Sequence, residues 1–442
     1  MLAGKPAYLL MNIKIRLTVM NFLQFAVWGA YLTSMGIFLA GVGFANKIGW
    51  FYATQGFVSL FMPAVIGIVA DRWVPAQKML GLCHLLAALF MAGAAWFGAQ
   101  THINFNALFA CYTLSVAFYM PTLALSNSVA YTALRQQNLD TVKCFPPIRV
   151  FGTVGFIIAM WTTNFAHFAF SSNQWYFSAV LGIVLGLYCF TLPNCPTSTG
   201  KARTLAEALG LKAFALFKEK KMAIFFIFSM LLGMSLQITN GFAGPFITGF
   251  NSLTGYTGSW GANNATALIS LSQISETLCI LLIPFFLKRY GIKKVMLISM
   301  LAWVLRFGLL GVGNPSTALG ILMLIASMII YGVAFDFFNI SGSLYVDQET
   351  DPSIRSSAQG VFMLMTNGFG AAIGSLAAQK VINCLVTVHL DPSKMVNGVY
   401  PANLSQLIMN GWSESWFVFA GFSLVVAILF AWLFKYKHVA QN

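Results

Sequence analysis

Long, nearly uncharged apolar runs recur along most of this sequence. A run of roughly 20 such residues, wound as an α-helix, crosses the hydrocarbon core of a bilayer, which is about 30 Å thick. Charged residues make up only 8% of the chain, whereas about 25% is usual for a water-soluble domain. A transmembrane β-barrel would instead show short segments of alternating polarity. The sequence therefore predicts an all-α integral membrane protein.

The runs form two groups of six, separated by one long polar segment that is rich in charge. The twelve expected spans are 17–41, 47–70, 77–99, 104–132, 146–168, 174–194, 222–250, 264–288, 293–314, 316–346, 356–385 and 414–436. The expected domains are a cytoplasmic N-terminus (1–16), an N-terminal six-helix bundle (17–194), a cytoplasmic linker with an amphipathic helix (195–221) and a C-terminal six-helix bundle with a cytoplasmic tail (222–442). Two such bundles are typical of transporters that rock their halves around a midplane site.

Basic residues fix the expected orientation, because loops rich in Lys and Arg stay in the cytoplasm. Only Lys47, Lys380 and Lys394 fall on the outer side, Arg149 and Arg306 lie within spans, and all other basic residues lie on the side of the N-terminus. Both termini are therefore expected inside. The net charge of +14 is explained by this topology and by attraction to anionic lipid, so no nucleic-acid partner is predicted.

Two acidic residues, Glu276 and Asp336, fall inside predicted spans, while the other acidic residues lie in predicted loops or at helix ends. A charge in hydrocarbon costs at least about 2.5 kcal/mol, and it is retained mainly where it handles an ion, a proton or a substrate. A carboxylic acid removed from water holds its proton more firmly, so it can load a proton on one side and release it on the other. The pair therefore predicts proton coupling, and no cluster suited to sodium stands out.

Further polar and aromatic side chains repeat at helical spacing inside the spans, which places each set on one helix face. The sets are Arg149, Thr153 and Phe156; Gln237 and Asn240; Gln273 and Glu276; and Tyr331, Phe335 and Asp336. Amides and carboxylates can bind sugar hydroxyls or base edges, and aromatic rings can stack on a flat ligand. Since so few basic residues lie within spans, a phosphorylated ligand is disfavoured. We expect a neutral, flat substrate rich in hydroxyl groups.

Each of these residues also has a structural alternative. Intramembrane amides such as Gln24 often only join helices, and any single Phe can serve packing alone. Arg149 can lie at the inner end of its helix and extend to water. Arg306 is expected to be a structural or pairing residue in the outer leaflet.

Two alternative functions have to be weighed against a proton-coupled importer of such a flat substrate. A proton-coupled importer of a sugar or oligosaccharide would use the same amides, carboxylates and aromatic rings. A membrane-embedded enzyme is a remote alternative, since the sequence contains no zinc-binding motif, no Ser-His-Asp set and no Gly-rich phosphate loop. The five His show no metal-ligand spacing, and the seven Cys are scattered through spans and inner loops. We therefore expect no metal, no cofactor and no disulfide framework.

The segment GIVADRWVPAQK, from Gly67 to Lys78, resembles a signature of the major facilitator superfamily. A second short basic loop, PFFLKRYGIKK, follows span eight at the matching place in the second half. The resemblance implies twelve helices in two bundles, with Asp71 and Arg72 at an inner gate. The usual continuation of this signature, a Gly and several Arg, is missing here.

Longer blocks resemble the nucleoside:proton symporter family of bacteria, which belongs to the same superfamily. They are FPPIRVFGTVGFIIAMW (145–161), MAIFFIFSMLLGMSLQITN (222–240), SQISETL (272–278) and YGVAFDFFNISGS (331–343). The resemblance extends from Met11 into the C-terminal tail, which suggests Met11 as the start of translation. Separately, the first residues lack a cleavable signal pattern, so the first helix is expected to stay in place as an anchor.

This resemblance implies a nucleoside substrate, bound between the bundles and driven inward by the proton gradient in a bacterial inner membrane. The family's binding positions fall on Arg149, Thr153, Phe156, Gln237, Asn240, Gln273, Glu276, Tyr331, Phe335 and Asp336. Asp336 is the preferred proton carrier and Glu276 the second choice, although spacing does not rank them. We expect the protein to act as a monomer, with nucleoside, protons and membrane lipid as its partners.

Overall fold

The computed structural model describes residues 7–197, 211–351 and 354–436, and it leaves out the side chains of Asp71 and Arg72. Helices account for nearly all the regular structure of these residues. They are α1 (Ala7–Gly29), α2 (Met35–Gly41), α3 (Ile48–Ser59), α4 (Met62–Arg72), α5 (Ala76–Gly98), α6 (Phe105–Gln136), α7 (Thr141–Phe165), α8 (Asn173–Cys189), α9 (Lys220–Gly249), α10 (Trp260–Asn263), α11 (Ala265–Val312), α12 (Ala318–Glu349), α13 (Arg355–Met363), α14 (Ala371–Leu385) and α15 (Ala402–Leu433).

Eight helices in the described ranges are long and apolar enough to cross a membrane, and the bent pair α3 and α4 makes a ninth. The longest, α11, contains 48 residues and would extend about 70 Å if it were straight, so it corresponds to two predicted spans. Gly291 separates them with φ 75° and ψ 167°, a conformation open to glycine. The remaining predicted spans correspond to α8 and to α1 with α2. The all-α membrane fold is therefore confirmed.

The bend between α3 and α4 has a local cause. The two helices meet at 42°, and Pro63 lies in the first turn of α4. Proline has no N–H to donate and its ring clashes with the carbonyl four residues earlier. That carbonyl belongs to Ser59, which is the last residue of α3. One predicted span thus consists of two helical pieces.

Several helices extend beyond the predicted spans by more than one turn. Helix α1 begins at Ala7 and α15 at Ala402, whereas the apolar runs predicted spans that start at 17 and 414. Polar residues such as Lys14 and Arg16 in α1, and Asn403 and Gln406 in α15, interrupt the apolar pattern in these additional turns. Most of the predicted linker helix lies outside the described residues, and its described end forms a 3₁₀ helix, Leu211–Lys218.

Contacts between Cα atoms divide the chain into two compact units. Among the described residues, the first unit contains 7–34 and 58–197, and the second contains 35–57, 211–351 and 354–436. The segment 35–57, expected to belong with the N-terminal half, is thus grouped with the second unit. The domain limits expected from the sequence stay a prediction.

A buried polar network joins α1, α5 and α6 within the first unit. The Gln24 amide donates to Thr122 Oγ1 at 2.7 Å, and its carbonyl oxygen lies 2.7 Å from His84 Nε2. The Tyr119 hydroxyl donates to the backbone oxygen of Gln24 at 2.8 Å. Because the Gln24 oxygen is an acceptor, His84 Nε2 must carry the proton. The helix-joining interpretation of Gln24 therefore holds.

Candidate functional site

Helix α7 carries the predicted set Arg149, Thr153 and Phe156 in the first unit. The Arg149 guanidinium lies 3.9 Å from the ring centre of Phe25, and the buried Phe156 ring meets Trp28 edge to face at 6.3 Å. Both aromatic partners belong to α1. The predicted face of α7 is therefore directed towards α1, and Arg149 rests on an aromatic ring there.

Two glycines allow α1 and α7 to approach through their backbones. A Cβ atom on Gly155 would overlap the carbonyl group of Phe22, and one on Gly29 would overlap the backbone of Phe156. Small residues permit this kind of close helix contact in membranes. The position of the Phe156 ring is thus set by main-chain contact.

A third glycine brings α11 and α12 together in the second unit. A Cβ atom on Gly332 would lie 2.5 Å from the backbone oxygen of Ser275 and 2.7 Å from Cys279 Sγ. The Ser275 hydroxyl donates to the backbone oxygen of Ile329 on α12. Ser275 precedes Glu276, and Gly332 lies one helical turn before Asp336. The close contact therefore brings the two intramembrane acids near each other.

Both acids belong to one cluster around Tyr331. Asp336 is only 5% exposed, and it interacts electrostatically with Glu276. Tyr331 interacts with both carboxylates and is hydrogen-bonded to Gln273. Asp336 Oδ2 is buried and has no hydrogen-bond partner among the described residues. The structure thus brings together four predicted residues, including an acid with unused bonding capacity.

Aromatic rings extend this cluster along α12. The rings of Tyr331 and Phe335 are stacked, with centres 5.7 Å apart and planes at 8°. Trp303 meets Tyr331 edge to face at 6.1 Å. Tyr331 is buried while Phe335 is half-buried. The stack leaves part of a flat apolar surface open beside the carboxylates.

The predicted pair on α9 is also placed side by side. The Asn240 amide donates to Gln237 Oε1 at 3.3 Å. Gln237 is 7% exposed and Asn240 is half-buried. Since each amide uses one group in this contact, both retain further donors or acceptors for a ligand. The predicted inner-gate residues Asp71 and Arg72 end α4, but their side chains lie outside the described part of the chain.

Sequence reasoning missed two contributors to the cluster around Tyr331. Gly332 precedes Asp336 by four residues, a spacing that places both on one helix face and could have indicated close helix packing. Arg306 was expected to be structural, yet its guanidinium lies 4.7 Å from the centre of the Tyr331 ring. No local sequence signal connects Arg306 with Tyr331, because the two residues belong to different helical segments.

Comparison with known proteins identifies the family of this chain. The sequence model described as nucleoside H⁺ symporter matches residues 11–439. The chain belongs to the nucleoside H⁺ symporter family. It is 45% identical to the nucleoside permease NupG of Escherichia coli over 434 residues, which is 97% of each chain. It is 44% identical over 431 residues to the xanthosine permease of the same species, again 97% of each chain.

Solved structures confirm the predicted major facilitator fold of this family member. The crystal structure of NupG superposes with a TM-score of 0.84 at 44% identity, covering 96% of this chain and all (100%) of the other. A D-xylose-proton symporter, at only 14% identity, superposes with a TM-score of 0.67 over 95% of this chain and 97% of its own. The second likeness concerns the fold alone. The protein is therefore a membrane transporter and not an enzyme.

Proposed function

We propose that this protein imports nucleosides together with protons by alternating access. The observation that carries the proposal is the pair of acids, the half-buried Glu276 and the buried Asp336, beside the stacked rings of Tyr331 and Phe335. The acids supply a proton site, and the rings supply a flat surface for a base. Family membership makes a nucleoside the substrate class that fits both features.

The polar residues of the second unit suit the sugar and the base edge. Gln237, Asn240, Gln273 and Glu276 offer amide and carboxylate groups, which form paired hydrogen bonds with hydroxyls and with ring nitrogens. A buried site that forms these hydrogen bonds discriminates against ligands that cannot form them, because such ligands would leave its polar groups unpaired. We assign these four residues to the ribose hydroxyls or the base edge.

The first unit contributes Arg149, Thr153 and Phe156 to the proposal. Phe156 lines the base, as Phe335 does in the second unit. Arg149 presents hydrogen-bond donors while its charge is stabilised by the ring of Phe25. A single arginine next to a half-buried threonine suits a neutral ligand better than a phosphorylated one.

Asp336 is the preferred proton carrier. It is the more buried of the two acids, and its Oδ2 atom has no hydrogen-bond partner among the described residues. A buried carboxyl group is stable when protonated and costly when charged and unpaired. Its protonation state therefore responds strongly to a change in its surroundings, which is what coupling requires.

Uptake of radiolabelled uridine and adenosine into proteoliposomes tests this function. We expect accumulation against the gradient only when the outside is made more acidic than the inside. Asp336→Asn should abolish this accumulation while nucleoside exchange at equal pH persists. Asp391→Asn is the matched control, because Asp391 is exposed and lies in a loop turn with Ser393. Hydrogen bonds from Ser393 lower the pKa of Asp391, so it stays ionised throughout the assay.

The same assay separates the rival functions. Competition by glucose or lactose, with none by uridine, would replace nucleosides by sugars as the substrate class. Uptake that does not depend on the pH gradient would rule out proton coupling. Loss of nucleoside binding in Asp336→Asn with intact coupling would show that another residue carries the proton.

Two further aspects belong to this proposal. We place the protein in the inner membrane of a bacterium with both termini in the cytoplasm, supported by the distribution of Lys and Arg. We also propose that it works as a monomer surrounded by lipid and without a nucleic-acid partner. Many large apolar side chains are exposed along its helices, as a lipid-facing surface requires.

A further inference from the structure

Arg306 is a buried cation without an anionic partner. Its side chain is 2% exposed. It donates to the backbone oxygen of Ser327 at 2.7 Å and to Ser272 Oγ at 3.4 Å, and its Nε has no partner among the described residues. Both acceptors are neutral, and no carboxylate oxygen of the described residues lies within 4.0 Å of it. Burying a charge in this way is costly, so the position of Arg306 calls for a reason.

The guanidinium of Arg306 faces the ring of Tyr331 at 4.7 Å from its centre. That distance is within the range of a cation–π interaction, which strengthens when both groups are removed from water. The same ring is stacked on Phe335 and touched at its edge by Trp303, and Tyr331 is hydrogen-bonded to Gln273. Arg306 therefore completes the set of contacts that fixes Tyr331.

Tyr331 also connects Arg306 with the two acids. It interacts electrostatically with Arg306 and with both Glu276 and Asp336, so one positive and two potentially negative groups act on a single ring. The contacts that hold this ring therefore also hold the residue that both carboxyl groups meet.

Other titratable groups on the neighbouring helices do not supply this charge. Cys279 on α11 faces Asp336 but is not a cation. Glu414 on α15 is exposed and acidic. Lys220 and Lys221 belong to the first turn of α9 and are exposed. Among the described residues of these helices, Arg306 is the buried cation beside the acids.

We propose that Arg306 is a positioning residue for transport, which holds the Tyr331 ring in place for the ligand beside Glu276 and Asp336. This inference rests on the proposed function of the same cluster. It explains why a costly buried charge lies next to an aromatic ring instead of an acid.

Two substitutions at this position separate the charge from the stacking contact. Arg306→Gln removes the charge and should raise the KM for uridine at least about tenfold, since the Tyr331 ring loses its cationic contact. The maximal rate of gradient-driven uptake should change much less than the KM, because Arg306 positions a binding ring and does not itself exchange the proton.

Arg306→Lys keeps the charge but loses the planar contact. We expect its KM to rise by about threefold, less than in Arg306→Gln, with the maximal rate of uptake unchanged. Arg289→Gln is the matched control, because Arg289 is exposed and lies 5.7 Å from the ring centre of Tyr290. It should leave both the KM and the maximal rate unchanged.

A native KM in Arg306→Gln, or a lower maximal rate without a higher KM, would overturn the inference. If that variant does not yield folded protein, Arg306→Lys decides, since a native KM in it would contradict the assigned role. Failure of the native protein and of Arg289→Gln to accumulate uridine would instead defeat the proposed function itself. The two failures are therefore distinguishable within one set of proteoliposomes.

Discussion

The side-chain oxygen of Gln379 accepts a hydrogen bond from the backbone N–H of Gly49 at 2.5 Å, across 330 positions of sequence. The Gln379 amide donates to the backbone oxygen of Ala45 at 2.9 Å and to Asn383 Oδ1 at 2.8 Å. A Cβ atom on Gly49 would lie 2.5 Å from the backbone oxygen of Ser375. One glutamine side chain thus joins the segment 35–57 to α14 within the second unit.

Gln379→Ala should lower the thermal stability of the purified protein in detergent. It leaves the backbone N–H of Gly49 and the oxygen of Ala45 without their partner, and each unsatisfied buried group costs about 1–3 kcal/mol. Gln406→Ala is the control, since Gln406 is exposed and also donates to an asparagine four residues later, Asn410. Equal melting temperatures for the two variants would show that the long-range contact adds nothing.

Gly155→Ala should reduce both stability and nucleoside affinity. Its new methyl group would overlap the carbonyl of Phe22, which forces α1 and α7 apart and displaces Phe156. Gly421→Ala places a methyl group where no atom lies within 4 Å, and alanine favours a helix over glycine. We expect this control to be as stable as the native protein or slightly more so. Thermal unfolding with and without uridine measures both effects, and identical curves would contradict the backbone-contact account.

Glu276→Gln should weaken nucleoside binding at least about tenfold, because a charge-assisted hydrogen bond is roughly twice as strong as a neutral one. Glu414→Gln is the control, because Glu414 is an exposed acid on α15. Titration calorimetry with uridine at constant pH measures the affinity. Uptake and affinity at the native level in Glu276→Gln would refute its assignment to the ligand.

His84→Leu should destabilise the first unit by about 1–3 kcal/mol, because the buried oxygen of Gln24 would lose its donor. The effect should appear as a lower melting temperature with little change in the KM for nucleoside. His102→Leu serves as the control, since His102 is exposed in the loop between α5 and α6. A large change in KM without a loss of stability would assign His84 to the transport site instead.

Cysteine labelling in intact cells tests the proposed orientation. Cys384 is exposed in the last turn of α14, which we place at the outer surface, so a membrane-impermeant maleimide should label it. Cys195 is buried and we place it on the inner side; burial raises its pKa to about 11, so its unreactive thiol should stay unlabelled. Cys384→Ser should abolish the external labelling. Labelling of Cys384 only after the cells are opened would reverse the topology.

Some of the fold could be predicted because it depends on local chemistry. The length of the apolar runs gave the spans, and Gly291 separates the halves of α11 close to where two spans were expected. The extra turns of α15 were missed, since polar residues in a helix carry no hydrophobic signal. The grouping of 35–57 with the second unit was also missed, because Gly49 and Gln379 are joined only in three dimensions.

The candidate site also combines features that local sequence predicts with contacts that form only in three dimensions. Helical spacing predicted Gln273 and Glu276 on one helix face, but the structure, not the spacing, joins them to Tyr331 and Asp336 on another helix. Spacing along one helix did not reveal Arg306, which reaches Tyr331 from another helical segment. Whether these residues bind a nucleoside stays a prediction for the experiments above.

The contact of Gly29 and Gly155 between α1 and α7 offers a route to altered selectivity. Neither residue has a side chain that could touch a solute, yet together they determine how far the edge of the Phe156 ring projects. Enlarging either one by a single carbon would reposition that ring without changing any of its chemistry. Substitutions at this contact between the two helix backbones could therefore favour larger or smaller ligands, while every side chain that recognises the ligand stays the same.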